Sequence, residues 1–302
     1  MVFYASRFLF FRRTLKIDCE KISHNLHIIF DGIKKIEYLQ KLIIFNTYLV
    51  VNTPFDRRFL DATCKFRYLE TLYLDFYYLH DTYANIFNSN NFPRLDDLTL
   101  ETSQINTDIN ITCRSLKKLK FLTEMYNSVE KKYKVTISDK CKKLENIELA
   151  LNNDAYLHDY DFEIFPELKY LEITMAEDVS HDDIEIFTPS NMIYLCVDVE
   201  NATIYLPRIV HEVTLLKKMK ILVEKNKCSI YMMQLSKNSI RDLEKNSIDN
   251  SSLNMLSIFY NPVESENYDL AKLASNLKSL SISFSKNITL ETLPESIKKL
   301  SI

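Results

Sequence analysis

Two stretches bring histidine together with carboxylates: His158-Asp-Tyr-Asp161-Phe-Glu163 and His181-Asp182-Asp183-Ile-Glu185. Imidazoles and carboxylates at close spacing are the groups that ligate divalent metals or exchange protons in acid–base catalysis. Both stretches, however, follow a strand-like apolar motif and read as solvated acidic connections. His24-x-x-His27 sets two imidazoles one helical turn apart but has no third ligand nearby. His211-Glu212 lacks the second histidine of a zincin helix. No Ser/His/Asp or Cys/His constellation is legible, so the sequence points to no catalytic residue, metal or cofactor, and to a protein that is not an enzyme.

Composition removes further classes. The chain has 302 residues and one glycine, Gly32. Phosphate-cradling loops, dinucleotide turns and nucleophile elbows need several glycines, because their backbone approaches the ligand at positive φ. The formal net charge is −3, so no basic field recruits nucleic acid. No apolar run approaches the roughly 18–20 residues that span a bilayer. The opening MVFYASRFLFFRRTLKI breaks its apolar cluster, Phe8 to Phe11, with Arg7, Arg12 and Arg13, and is not a secretory signal. Six single cysteines, Cys19, Cys64, Cys113, Cys141, Cys196 and Cys228, form no CxxC pair and suit reduced, buried thiols in a cytoplasmic protein. Four N-x-Ser/Thr sequons, at Asn110, Asn201, Asn250 and Asn287, barely exceed the roughly three expected by chance.

The elements that would position a site come from a repeat. Leu-x-x-Leu-x-apolar occurs at Leu39-Leu42-Ile44, Leu69-Leu72-Leu74, Leu95-Leu98-Leu100, Leu116-Leu119-Phe121, Leu168-Leu171-Ile173, Leu253-Leu256-Ile258 and Leu277-Leu280-Ile282. Chance would supply roughly two such matches against a repeat template. Looser copies are Leu144-Ile147-Leu149, Met192-Leu195-Val197, Val210-Val213-Leu215 and Ile297-Leu300-Ile302, with a poor one near Ile230-Met232. Over residues 36–302 the pattern resembles the leucine-rich repeat family, as an irregular, diverged member of eleven or twelve units. The resemblance implies an α/β solenoid: parallel strands on a concave face, helices or irregular segments on the convex face. Tyr268–Leu277, apolar at i, i+3 and i+7, reads as one such helix, and Thr102–Ile111 as extended or irregular. The family's Asn or Cys after the third apolar residue is met by Asn152 and Asn261, whereas Tyr77, Ser103, Glu124, Ala176, Glu200 and Ser285 depart from it. Residues 1–35 fit the period poorly and read as an N-terminal cap, with early strands at Arg12–Ile17 and Ser23–Ile28.

Alternation within each strand sends every second residue away from the core. The resulting columns are Tyr73, Thr99, Lys120, Glu148, Glu172, Cys196 and Thr214; then Thr71, Asp97, Lys118, Asn146, Tyr170, Tyr194 and Glu212; then Asp75, Glu101, Thr174 and Asp198. Tyrosine anchors among acidic residues suit a partner protein. The expected partner-binding set is Tyr73, Asp75, Asp97, Glu101, Lys120, Glu148, Tyr170, Glu172, Tyr194 and Asp198. Acidic residues crowd 154–200 and lysines 117–143 and 217–227, so stacking would create a negative edge. The expected function is therefore a protein-interaction scaffold, with no nucleic-acid or membrane partner. The alternatives are a substrate-recognition subunit of a ubiquitin-ligase-type complex and an enzyme on an unrecognised α/β fold. The last strand, Ile297–Ile302, has no cap. This suggests a longer protein, or an edge covered by a partner or by self-association of a second copy.

Overall fold

A computed structural model of the chain describes residues 13–19, 36, 38–45, 66–79, 85–105, 107–123, 133–152, 155, 160–175, 184–199, 202–207, 209–215, 219–223, 228–236, 248–249, 255–259, 267–269, 276–283, 289–293 and 295–301. It divides into two compact units, Met1–Tyr156 and Leu157–Ile302. Both are parallel-strand β-solenoids.

The first unit contains β1 (Thr14–Asp18), β2 (Lys41–Phe45), β3 (Thr71–Leu79), β4 (Asp97–Ile105), β5 (Ile109–Ile111), β6 (Lys118–Thr123), β7 (Val135–Ile137) and β8 (Asn146–Leu151). Its main sheet runs β1-β2-β3-β4-β6-β8, and every pairing is parallel. On the other side of the core β5 pairs with β7, and single bridges join Asn88 to Thr112 and Tyr133 to Ala155. The period-two pattern explains the sheet. Leu42, Leu72, Leu98, Leu119 and Ile147 stand in one register and are buried, as are Ile44, Leu74, Leu100, Phe121 and Leu149. Each inward residue stacks on its equivalent one turn away, and the alternate residues face out.

A recurring turn sets each strand start, and it has a signature outside the leucine motif. The residue three before the motif's first leucine is buried: Phe66, Phe92, Cys113 and Cys141. Its carbonyl accepts from that leucine's N–H, at 3.4, 3.5, 3.3 and 3.1 Å respectively. The residue just before each strand then offers one carbonyl to two successive N–H groups of the next turn. Gln40 accepts from Glu70 and Thr71 at 2.8 and 2.9 Å, Glu70 from Asp96 and Asp97, Asp96 from Lys117 and Lys118, and Lys117 from Glu145 and Asn146.

The second unit contains β9 (Tyr160–Asp161), a 3-10 turn (Phe162–Ile164), β10 (Tyr170–Met175), β11 (Ile184–Phe187), β12 (Tyr194–Asp198), β13 (Ala202–Leu206), β14 (Ile209–Leu215) and β15 (Met219–Val223). It continues with β16 (Cys228–Ser236), β17 (Ile248–Asp249), β18 (Met255–Phe259), β19 (Asn267–Asp269), β20 (Ser279–Ser283), β21 (Thr289–Thr292) and β22 (Lys299–Ser301). The main sheet is β10-β12-β14-β16-β18-β20-β22, with β17 also on β16. Opposite it lie β9-β11-β13-β15 and the pair β19-β21. The same turn recurs, with Phe165 and Pro189 accepting from Leu168 and Met192, and Lys169 accepting from both Ile193 and Tyr194. Register places Met233 and Leu235 against Val213 and Leu215 and against Leu256 and Ile258. The weak copy near Ile230-Met232 is therefore Ile230-x-x-Met233-x-Leu235. Leu280 is fully buried, while its register partner Leu300 on β22 is 43% exposed.

The expected helices are corrected. Among the described residues there is no α-helix, only the 3-10 turn at Phe162–Ile164. The segment from Tyr268 opens as β19, paired with β21, and residues 270–275 lie outside the described part. A short apolar run carries no reliable period, and pairing with an adjacent turn satisfies its backbone as well as a helix would. Within the stretch expected to be extended or irregular, residues 102–105 lie in β4 and residues 109–111 form β5. Of the expected early strands, Arg12–Ile17 overlaps β1, and Ser23–Ile28 lies outside the described residues.

One polar network is buried in the first unit. Tyr133 donates its hydroxyl to Asn152 Oδ1 at 3.0 Å, Asn152 N donates to Thr123 Oγ1 at 2.7 Å, and that hydroxyl donates to the Ala150 carbonyl at 3.1 Å. Asn152 is fully buried. Asn152→Ala removes the phenol's 3.0 Å acceptor from a buried site and is expected to lower unfolding free energy by about 1–3 kcal/mol, read by urea denaturation. A loss within error would show that the network does not hold this turn.

Candidate partner-binding face

The outward side of the main sheet collects the sequence-derived candidates by register. In the first unit Tyr73, Thr99, Lys120 and Glu148 form one row, Thr71, Asp97, Lys118 and Asn146 a second, and Asp75 pairs with Glu101 in a third. In the second unit Tyr170 pairs with Tyr194, Glu172 with Cys196, and Thr174 with Asp198. The rows follow from alternation and the shared-carbonyl turns, which allow no slip between neighbours.

The first unit's face has relief. A depression of about 550 Å³ is lined by Lys16, Lys41, Ile43, Phe45, Thr71, Tyr73, Asp75, Asp97 and Thr99, all from β1 to β4. Ile43, Phe45 and Tyr73 supply the apolar part. Lys16 Nζ sits 4.9 Å from the Phe45 ring centroid, a cation–π contact. On the far side Tyr73 donates its hydroxyl to Glu101 Oε2 at 2.7 Å. Burial, that hydrogen bond and the charges of Glu101 and Asp75 raise the Tyr73 phenol's pKa, so it stays a neutral donor. Burial also raises the Asp97 carboxyl, against the pull of Lys118 and Lys41. Further along, Lys120 and Glu148 pair at 2.7 Å with both side chains over a third exposed, which is worth at most about 1 kcal/mol.

Sequence reasoning missed Lys16, Lys41, Ile43 and Phe45. The signal for three of them was present: alternation about Leu42 and Ile44 places Lys41, Ile43 and Phe45 in the same outward columns. Lys16 had no such signal, because β1 does not carry the leucine motif and only its pairing with β2 places it.

In the second unit the Tyr170 and Tyr194 rings lie 6.3 Å apart at 35°. Burial is the leading cause that raises the Tyr194 phenol, with the neighbouring Cys196 side chain, Glu172 and Glu212 adding to the shift. Cys196 occupies an outward position yet is buried. The acidic stretches that opened the sequence reading have structural roles where they are described. Asp161 caps the 3-10 turn by accepting from Glu163 N at 3.0 Å. Glu185 accepts from the Tyr205 hydroxyl at 2.7 Å, beside a Phe187–Tyr205 ring stack at 4.3 Å. His24, His27, His158, His181, Asp182 and Asp183 lie outside the described residues. Among the described residues no three His, Cys, Asp or Glu side chains come together to hold a metal ion. No helix among them is long and apolar enough to cross a membrane.

No protein-family model, curated protein or solved structure matches the chain.

Cys19, Cys113, Cys141 and Cys196 are free and buried. Burial is the leading cause that pushes Cys19 and Cys113 up to about 12 and Cys141 and Cys196 to about 11, from 9.0. Above pH 9 the unfolded chain therefore releases protons that the folded chain keeps, so stability present below that pH is lost as pH rises toward 11–12. Urea midpoints are expected to fall between about pH 8 and about pH 10.5, and less steeply in Cys113→Ala. These four thiols should react with a disulfide reagent at neutral pH only once the protein unfolds.

Proposed function

We propose that this protein is a non-enzymatic interaction scaffold, a diverged solenoid of the leucine-rich-repeat type, that binds a partner protein on the outward face of its main sheet. The observation that carries this reading is the depression across β1 to β4. Four successive parallel strands hold an aromatic and aliphatic floor, Ile43, Phe45 and Tyr73, between lysines on β1 and β2 and aspartates on β3 and β4. Side chains on paired strands have little freedom left to lose, which favours binding over a loop-built surface. A mixed-charge extended segment laid across the strands would meet Lys16 and Lys41 at one end and Asp75 and Asp97 at the other. Aromatic anchors of this kind dominate binding energy. The leucine motif at strand spacing and the buried Asn152 support the kinship, with short strands and turns on the returning side among the described residues.

The test is selection of binders from a random peptide display library with the full chain as bait. Selected peptides should bind the wild type, and the double variant Ile43→Asp, Tyr73→Ala should weaken them by roughly tenfold or more. Tyr73→Phe, which keeps the ring and loses the hydrogen bond to Glu101, should retain most of the affinity. Thermal melts that match the wild type confirm folding of each variant. Peptides that bind the double variant as tightly as the wild type would remove the site from this face.

A further inference from the structure

The outward side of β10, β12 and β14 carries charge of one sign. Read along the strands, its outward side chains are Tyr170, Glu172 and Thr174, then Tyr194, Cys196 and Asp198, then Glu212 and Thr214. Three carboxylates stand there, and none of these positions holds lysine or arginine. The first unit differs, because its rows interleave Lys41, Lys118 and Lys120 with the acids. The aromatic groups also differ. Tyr170 is 43% exposed, and the Tyr194 ring supports it at 6.3 Å. Tyr194 lies within the field of both Glu172 and Glu212.

An exposed aromatic face beside carboxylates complements a cation that is planar and weakly hydrated. Guanidinium meets both demands, since it stacks on rings and offers two parallel N–H donors to a carboxylate. A lysine ammonium is a strongly hydrated point charge and gains less from the ring. Adjacent strands are about 4.8 Å apart and two residues span about 6.8 Å, so Glu172 and Glu212, two strands and two register positions apart, stand roughly 12 Å from each other. Same-side residues of an extended segment repeat every roughly 6.8 Å, which long arginine side chains bridge easily.

We propose that this patch binds an arginine-rich extended segment of a partner protein, one guanidinium lying over Tyr170 against Glu172 and a second basic residue reaching Glu212. The proposal rests on the protein-binding reading above and names the chemistry that the second unit selects.

Fluorescence anisotropy of a labelled arginine–serine repeat peptide against the full chain tests it, with lysine–serine and citrulline–serine peptides as counterparts. The arginine peptide should bind with an affinity that falls as salt rises, the lysine peptide several-fold more weakly, and the neutral citrulline peptide not measurably. Tyr170→Ala and Glu212→Gln should each weaken the arginine peptide by roughly tenfold, while Tyr170→Phe keeps the ring and the affinity. Equal binding of the arginine and lysine peptides, no binding of either, or indifference to Tyr170→Ala and Glu212→Gln overturns the proposal. Ile43→Asp in the first unit should leave arginine-peptide binding unchanged. Library peptides that bind the double variant Ile43→Asp, Tyr73→Ala as tightly as the wild type, with the arginine peptide still dependent on Tyr170 and Glu212, would count against the first unit's depression alone, and the reverse result against this proposal alone.

Discussion

The outward face of the main sheet depends on one repeated main-chain arrangement: a single carbonyl just before a main-sheet strand accepts two successive N–H groups from the next turn. Gln40, Glu70, Asp96 and Lys117 do this in the first unit, and Lys169, Ile193 and Lys278 in the second. Two donors on one acceptor fix both the position and the direction in which the next strand starts. A slip of one residue would turn every leucine outward and every tyrosine inward. The intervals between strands can therefore vary while the columns remain straight.

Straight columns matter because they turn a one-dimensional pattern into a two-dimensional surface. Neighbours in a column come from residues some twenty to thirty positions apart in the chain, as in the Lys120–Glu148 pair, and the Tyr73 hydroxyl bonds diagonally to Glu101 in the next column. The two units use this device differently. The first alternates lysines and acids around an apolar depression, and the second sets paired tyrosine rings beside carboxylates. Neither arrangement is needed by the core, which is complete on the inward side of the same strands.

The inward side explains the absence of helices among the described residues. Each turn closes around stacked leucine, isoleucine and phenylalanine side chains, and the returning segment satisfies its backbone by pairing with the segment of a neighbouring turn, as β11 does with β9 and β13. Polar groups that enter the core are answered within it. Tyr133, Asn152 and Thr123 form a chain of hydrogen bonds across adjacent turns. The buried thiols of Cys113 and Cys141 fill the same turn position that Phe66 and Phe92 fill elsewhere, so this site selects for apolar character more than for volume.

By itself the sequence determined the main-sheet strands that carry the motif, with their inward faces and outward columns, because Leu-x-x-Leu-x-apolar encodes a period of two and a repeat that only stacking can bury. It was enough to place Tyr73 beside Thr99 and Tyr170 beside Tyr194 before any coordinate was known. It did not determine the returning side: the apolar spacing at Tyr268–Leu277 fits a helix and a strand equally, and the choice of β19 there is made by its pairing with β21. Nor did it show that Lys16, from a strand without the motif, joins Phe45 at the depression, or that the outward Cys196 is buried. Tertiary structure decided these points, since pairing between turns and lateral contact between side chains depend on neighbours that the local pattern does not contain.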